Sequence, residues 1–188
     1  LGLAQLLEKN PSLDEQAQTD LENIVSASLH AREVVKKLML FARQMPSVQT
    51  DLNLNEAVEN ATFFLESRCR KNMVKIHLDL KKNIPTIRAD SSQIYQVLIN
   101  LIVNALQAMP DGGIINIKTF SDKQNVFLEC TDTGIGMSKA VIGKIFNPFF
   151  TTKKVNEGTG LGLSVVHGII YSHGGEISVS SQPGKGAT

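Results

Sequence analysis

The sequence predicts an α+β fold: a two-layer α/β sandwich, with helices on one face of a mixed sheet, preceded by a helical hairpin. Three observations carry that reading. Val74, Ile76, Leu78 and Leu80 alternate with Lys75, His77 and Asp79, and Val126, Leu128 and Cys130 alternate likewise, which is the two-residue period of half-buried strands. Apolar residues recur at three- and four-residue spacing over 21–42, 56–71 and 92–109, the period of amphipathic helices. Helices and strands then follow in pairs, without the strict βα alternation of a doubly wound sheet.

Taken in order, residues 3–7 give an apolar helical turn closed by Asn10 and Pro11. Ser12, with Glu15 three residues on, is a capping-box pattern for a long helix. Along it Leu21, Ile24, Ala31, Val35, Leu38 and Ala42 follow a seven-residue repeat with Ser28 as the polar member, widened by Val34 and Phe41, until Pro46 ends it. One hairpin cannot bury so wide a stripe, so self-association into a four-helix bundle is expected. Residues 47–55 are a polar connector with a short edge strand at 52–54. The boundary falls there, giving a hairpin domain over 1–46 and a second domain over 47–188.

The 56–71 helix turns Ala57, Ala61, Leu65 and Cys69 inward, and the Val74 strand follows. A short strand over 86–89 leads to Asp90 or Ser91, either of them a helix N-cap. The next helix runs to about Met109, and Pro110, Asp111, Gly112 and Gly113 turn the chain. Strands over 115–120 and 126–132 form a hairpin. The stretch 137–157 has no clear period and contains Pro148. Gly160 opens a helix closed by Gly174 and Gly175, and 176–180 is the last strand.

Composition excludes several classes. Of 188 residues 42% are hydrophobic, enough for a core, and a net charge of +1 advertises no nucleic acid. Cys69 and Cys130 are far apart without metal-ligand spacing, and are expected to be reduced buried thiols in a cytosolic protein. No apolar run reaches bilayer length and no signal peptide is visible. The opening residues read as the middle of a helix and the closing ones stop where a strand would begin, so a fragment of a longer protein is expected.

The helix over 92–109 carries the chemistry. Each residue advances about 100°, so Ile94, Val97, Leu98, Leu101 and Ala105 form one apolar face. Gln93, Gln96, Asn100, Asn104 and Gln107 form a second stripe along its edge. Solvated helix faces ordinarily carry Lys, Glu and Arg. Amides offer oxygen to a hard cation and N–H donors to phosphate, with no charge to repel a triphosphate. The competing reading is a polar helix edge without a role. Asp132 shares parity with Val126, Leu128 and Cys130, so its carboxylate points to the buried face and needs donors such as the amino group of a purine. Gly134 and Gly136 would let a flat base lie close to the backbone; the competing reading is a tight turn.

Gly158, Gly160 and Gly162 precede a helix, whose free N–H groups suit phosphate. A dinucleotide fingerprint is excluded by context, because no strand leads into these glycines within a βαβ unit; a Walker A lysine is absent too. Between Gly136 and Gly158 lie Phe146, Phe149 and Phe150, a segment expected to act as a lid, with Lys153 in reach of a phosphate. His30, His167 and His173 are read as structural.

Together these blocks resemble the ATP-binding catalytic domain of two-component sensor histidine kinases. Asn100-Leu-Ile-Val-Asn104-Ala resembles the N box, Asp132-Thr-Gly-Ile-Gly136 the G1 box, Phe146-Asn-Pro-Phe-Phe the F box and Gly158-Thr-Gly-Leu-Gly-Leu163 the G2 box. Gly184-Lys-Gly-Ala-Thr188 is similar to the start of a final glycine box, and the wording around Phe149–Lys153 and His173–Ile177 looks closest to the nitrogen-regulation subgroup. Residues 1–45 resemble the dimerisation and phosphotransfer hairpin.

The resemblance implies a Bergerat-type fold with ATP and Mg²⁺ as cofactors. It implies Asn104 as the metal ligand, Asn100 and Gln107 near the phosphates, and Asp132 on the adenine amino group. Gly158, Thr159, Gly160, Leu161, Gly162 and Leu163 would wrap the triphosphate, and Gly134, Gly136, Met137, Phe149, Lys153 and Thr188 complete the expected nucleotide-binding set. Gln107 stands where many relatives carry lysine, so that contact is weaker or comes from Lys153. No catalytic residue is assigned within the chain, because the phosphoacceptor histidine of the family belongs to the first helix, upstream of Leu1, and His30 does not match its motif.

The implied activity is that of an ATP-dependent protein-histidine kinase. Its implied partners are a second copy, joined through the N-terminal helices, and a response regulator receiver domain. Nucleic acid and direct membrane contact are not expected, and the fragment is expected in the cytoplasm whether or not its parent is anchored. It should bind ATP without phosphorylating itself. Two other classes stand beside this one. An ATPase of the same superfold would carry a glutamate four residues before the metal-binding asparagine, where this chain has Asn100, a poor base. A nucleotide-gated scaffold would signal by helix packing alone.

Overall fold

The computed structural model describes residue 7 and residues 14–42, 48–153 and 158–188, leaving out the side chains of residue 30 and of residues 33–42. The chain divides into two compact units, Leu1–Met45 with Thr151–Thr159, and Pro46–Phe150 with Gly160–Thr188.

The first unit is built on helix α1 (Glu15–Ala42). Its cap is Asp14, whose Oδ1 accepts the Ala17 N–H at 2.7 Å. The expected cap Ser12 and the terminating Pro46 lie outside the described residues, as does all of the first helix but Leu7. The buried stripe differs from the expected repeat. Val25 is buried and Leu21, Ser28 and Leu29 are half-buried, whereas Ala31 is exposed and Ile24 is 53% exposed. The side of the helix centred on Val25 is covered, and the side through Ile24 is open. Val34, Val35, Leu38, Phe41 and Ala42 fall among the undescribed side chains.

The second unit is a sheet with helices on one face. Strand β1 (Thr50–Leu52) pairs antiparallel with β3 (Ile87–Ala89) as a small separate sheet, while β2 (Val74–Leu80) runs parallel to β4 (Gly113–Ser121), itself antiparallel to β5 (Val126–Asp132). The main sheet has the order β2-β4-β5 and is mixed. Helix α2 (Leu54–Lys71) starts at Asn53, whose Oδ1 accepts the Asn55 N–H and whose Nδ2 donates to Glu56. Helix α3 (Ser91–Gln107) starts at Asp90, one of the two expected caps; its Oδ1 accepts from Ser92 and Gln93.

The core lies between these helices and the sheet. Val58, Ala61, Leu65, Leu98, Ile102, Ile115 and Ile117 are buried in one cluster, each contributing about 1.5–3 kcal/mol relative to exposure for the larger side chains. Thr119, 1% exposed, is satisfied by donating to Asn55 Oδ1 at 2.6 Å, and Asn55 Nδ2 donates to the Lys81 carbonyl. That small network pins the start of α2 to the far ends of β2 and β4. The opposite face of the sheet carries the Lys118–Asp79 ion pair and the stacked Phe120–Phe127 rings.

After β5 come a single helical turn, α4 (Lys139–Ile142), and then α5 (Gly162–Ser172), which packs against α3. Helix α5 ends in a Schellman arrangement, with Gly174 at φ 73°, its N–H donating to Tyr171 and that of Gly175 to Ile170. The expected last strand over 176–180 does not form. Only Ser180 and Thr188 exchange both backbone bonds, at 2.9 and 2.8 Å, while Ala187 bridges Ser181 and Asp132. Gly184 and Gly186, both at φ 75°, turn the chain so that Ala187 and Thr188 come back beside Ser181 and Ser180. Among the described residues no helix is long and apolar enough to cross a membrane.

Candidate functional site

Helix α3 presents the amide stripe on the edge of its buried face. Ile94, Val97, Leu98, Ile102, Ala105 and Leu106 are buried. Gln93, Gln96, Asn100 and Asn104 are half-buried and Gln107 is exposed. The apolar set differs from expectation by the loss of Leu101 and the gain of Ile102 and Leu106. Leu101, on the side of the face next to Asn100 and Asn104, is only half-buried, and Ile102 takes the core place instead.

The start of α5 comes to this stripe. A Cβ placed on Gly162 would lie 3.6 Å from both Asn100 Oδ1 and Asn104 Nδ2. Which end of each amide faces the helix is an assignment, since the two ends exchange by a flip. Leu161 precedes α5 and offers no side-chain cap, so the first-turn N–H groups are open to an anionic ligand. Leu161 itself is 3% exposed; its side chain is packing, not a ligand contact, and its carbonyl accepts the Val165 N–H and the Ser164 hydroxyl. Leu163 is half-buried.

Asp132 ends β5 with its side chain toward the core, 9% exposed, as its parity predicts. Its Oδ1 accepts the Gly134 N–H at 2.8 Å. Burial pushes its carboxyl above the usual carboxylate range, against the opposing pull of the Gly134 and Ala187 backbone N–H groups. Burial, with the Asp132 charge beside it, also pushes the Cys130 thiol up to about 12, which leaves that thiol inert. The loop that follows docks on the end of α3, where the Ile135 N–H donates to the Ala108 carbonyl at 3.0 Å, four residues after Asn104. Asp132 and Asn104 are thereby brought to the same end of one helix.

The glycines of this loop serve the chain itself. A Cβ on Gly134 would meet the Ala108 carbonyl at 2.5 Å, and one on Gly136 (φ 65°) would meet the Gln182 carbonyl. The place a side chain would take at either glycine is filled by backbone. Met137 is half-buried and its N–H donates to Ser181 Oγ, which in turn donates to the Gly186 carbonyl. Thr188 points elsewhere. Its hydroxyl meets that of Thr131 at 3.1 Å, and Thr131 and Asp132, adjacent on a strand, face opposite sides of the sheet.

Phe146 is half-buried against the His167 ring, with centroids 5.1 Å apart, while Phe149 is 58% exposed at φ 67°. Gly160 (φ 64°) lies where a Cβ would strike the Phe149 backbone, so this glycine lets α5 approach the aromatic segment. Lys153, Gly158 and Thr159 belong to the first unit. There the Lys153 N–H donates to Thr151 Oγ1, and a Cβ on Gly158 would lie 2.9 Å from that oxygen. Sequence reasoning missed Ser181, for which a lone serine in a turn gives no signal.

These elements define a nucleotide-site class of fold: a mixed sheet, an amide-edged helix, and a second helix whose open N-terminus faces those amides. The family described as Histidine kinase-, DNA gyrase B-, and HSP90-like ATPase matches residues 89–188, and the chain belongs to it. It is 34% identical over 200 residues to the sensor kinase CckA of Brucella abortus (strain 2308), covering 98% of this chain and 21% of that protein. It is 31% identical to the sensor histidine kinase ZraS of Escherichia coli (strain K12), covering 100% of this chain and 40% of ZraS. The crystal structure of histidine kinase ThkA in complex with response regulator protein TrrA aligns at TM-score 0.73 and 25% identity, over 99% of this chain and 53% of that one. The chain thus spans well under half the length of the curated relatives it matches.

Proposed function

We propose that this chain is the catalytic core of a two-component sensor histidine kinase, which binds Mg–ATP and donates its γ-phosphoryl group to a histidine for relay to an aspartate of a response regulator. The observation that carries the reading is the meeting of Asn100 and Asn104 with the uncapped start of α5 at Gly162. Phosphate anions suit that helix end, and neutral amides beside it add donors without repulsion. The donor set fits the magnesium complex, since Asn104 offers a single neutral oxygen, enough for an ion that keeps most of its water. When bound, Mg²⁺ neutralises phosphate charge during transfer.

The chain's own residues orient the nucleotide. Asp132 holds the adenine amino group from the far end, and Asn100 and Gln107 lie along the phosphates. Positioning and charge neutralisation are the catalysis, with no base needed. Residues 1–46 are the dimerisation hairpin, consistent with the exposure of Ile24 on α1, and residues 47–188 are the ATP-binding domain. Family relatives that are sensor kinases and a kinase neighbour solved with a response regulator support the relay.

The test supplies a separate polypeptide carrying a dimerisation hairpin with its histidine, together with γ-labelled ATP. Labelled phosphohistidine is the expected product. Absence of label at any protein concentration, with rapid steady-state release of phosphate instead, would move the chain to the ATPase class.

A further inference from the structure

Helices α3 and α5 pack together and are fastened at both ends. At one end Gly162 lies beside Asn100 and Asn104. At the other, His173, which closes α5, reaches Asp90, which caps α3. The Asp90 backbone N–H donates to His173 Nε2 at 3.1 Å, and His173 Nδ1 lies 2.8 Å from the Ile169 carbonyl oxygen. A backbone N–H only donates and a carbonyl only accepts. Nδ1 therefore carries the proton, Nε2 presents its lone pair, and the ring is a neutral imidazole in one tautomer.

Neither helix needs this ring to end well. Asp90 caps α3 through its own carboxylate, and Gly174 and Gly175 close α5 with backbone bonds. What the imidazole adds is a tie between the two helices. The buried side chains of α5 are Ser164, Val165 and Val166; the serine hydroxyl is used within its own helix and the valines have no polar group to set a register. A rigid helix of this length, about 16 Å at 1.5 Å per residue, carries a shift at its end to its start.

We propose that His173 is a positioning residue for nucleotide binding. By tying the last turn of α5 to the first of α3, it fixes how far α5 slides along α3. It thus sets the distance from the first-turn N–H groups of α5 to Asn100 and Asn104. The inference rests on reading that end as the phosphate end of an ATP site. The adenine end, held by Asp132, lies on a different loop and does not depend on the tie.

The experiment compares dissociation constants for Mg–ATP and for adenosine in the wild type, His173→Phe and His173→Gln. Phenylalanine fills the ring volume without an acceptor, and the glutamine carbonyl restores one near the place of Nε2. The Phe variant is expected to lose about tenfold in Mg–ATP affinity with adenosine affinity unchanged, and the Gln variant to recover most of that loss. Equal losses for both ligands, or a Gln variant no better than Phe, overturn the proposal. Imidazole nitrogen chemical shifts of the wild type are expected to show the Nδ1–H tautomer; an Nε2–H ring overturns it even where a variant fails to fold. A wild type that binds Mg–ATP no better than adenosine refutes the ATP reading, and this inference with it.

Discussion

The two ends of α3 are built from similar residues and behave in opposite ways. At its start Asp90 accepts from Ser92 and Gln93, donates its own N–H to His173, and its carboxyl is held below the usual carboxylate range, first by the Ser92 hydroxyl. At its finish Asn100 and Asn104 are half-exposed amides facing an uncapped helix, and the docked loop delivers Asp132, whose carboxyl is driven up by burial. A carboxylate used for structure is solvated by donors, which lowers its pKa. One taken out of water, as Asp132 is despite its two backbone donors, costs stability, and a cost of that kind marks a candidate site that a ligand completes.

Ways to break this contrast differ in size. The largest effect is expected at Gly186, where φ is 75° and a Cβ would strike the Asp132 carbonyl. Gly186→Ala should destabilise the chain by about 3 kcal/mol or more, read as a fall in the denaturant midpoint. Leu98→Ala, at a residue 1% exposed, should cost about 3 kcal/mol in the same assay while leaving the folded protein able to bind nucleotide. At the start of α3, Asp90→Ala should cost about 1 kcal/mol. The lowered carboxyl gives Asp90 a stabilising contribution that is complete above its unfolded pKa. That contribution disappears as pH falls through the lower folded value, so wild type and variant should converge in strongly acidic buffer.

Asp132 should show the reverse sign. Its raised folded pKa means that ionisation weakens the fold as pH rises through that value, and protonation removes the penalty as pH falls below it. Asp132→Asn should therefore melt no lower than the wild type at neutral pH, with the difference closing on acidification, yet should bind ATP more weakly. A variant that melts lower and binds ATP normally would make Asp132 a structural cap like Asp90. The smallest effect is expected at Gly168 in α5, where an added Cβ would meet nothing within 4 Å. Gly168→Ala should stabilise by about 0.5–1 kcal/mol, seen as a small rise in melting temperature.

Periodicity made most of this fold legible. The strands β2, β4 and β5, the helices α2, α3 and α5 and the Asp90 cap stand close to where the pattern of residues puts them. The departures share a cause, which is that the pattern does not say what covers a face. Ile24 follows the repeat yet lies open on a single chain, and Leu101 follows the apolar face yet is half-covered beside the amides. In the candidate site, ordered motifs bring Asn100, Asn104, Gly162 and Asp132 to notice, because rare residue types in a rare place are visible in one dimension. Gly134 and Gly136 show in one dimension only that a side chain is missing, and three dimensions show that Ala108 and Gln182 stand where one would go. The roles of Ser181 and Thr188 depend on a chain reversal after Ser181 that has no sequence period.

The most direct test of a magnesium–ATP site on α3 is the magnesium dependence of ATP affinity in wild type and Asn104→Ala, measured by titration calorimetry with and without Mg²⁺. The wild type is expected to gain affinity on adding Mg²⁺ and the variant to lose that gain, falling about tenfold or more below the wild type. An Asn104→Ala protein with wild-type affinity and an undiminished response to Mg²⁺ would contradict that site.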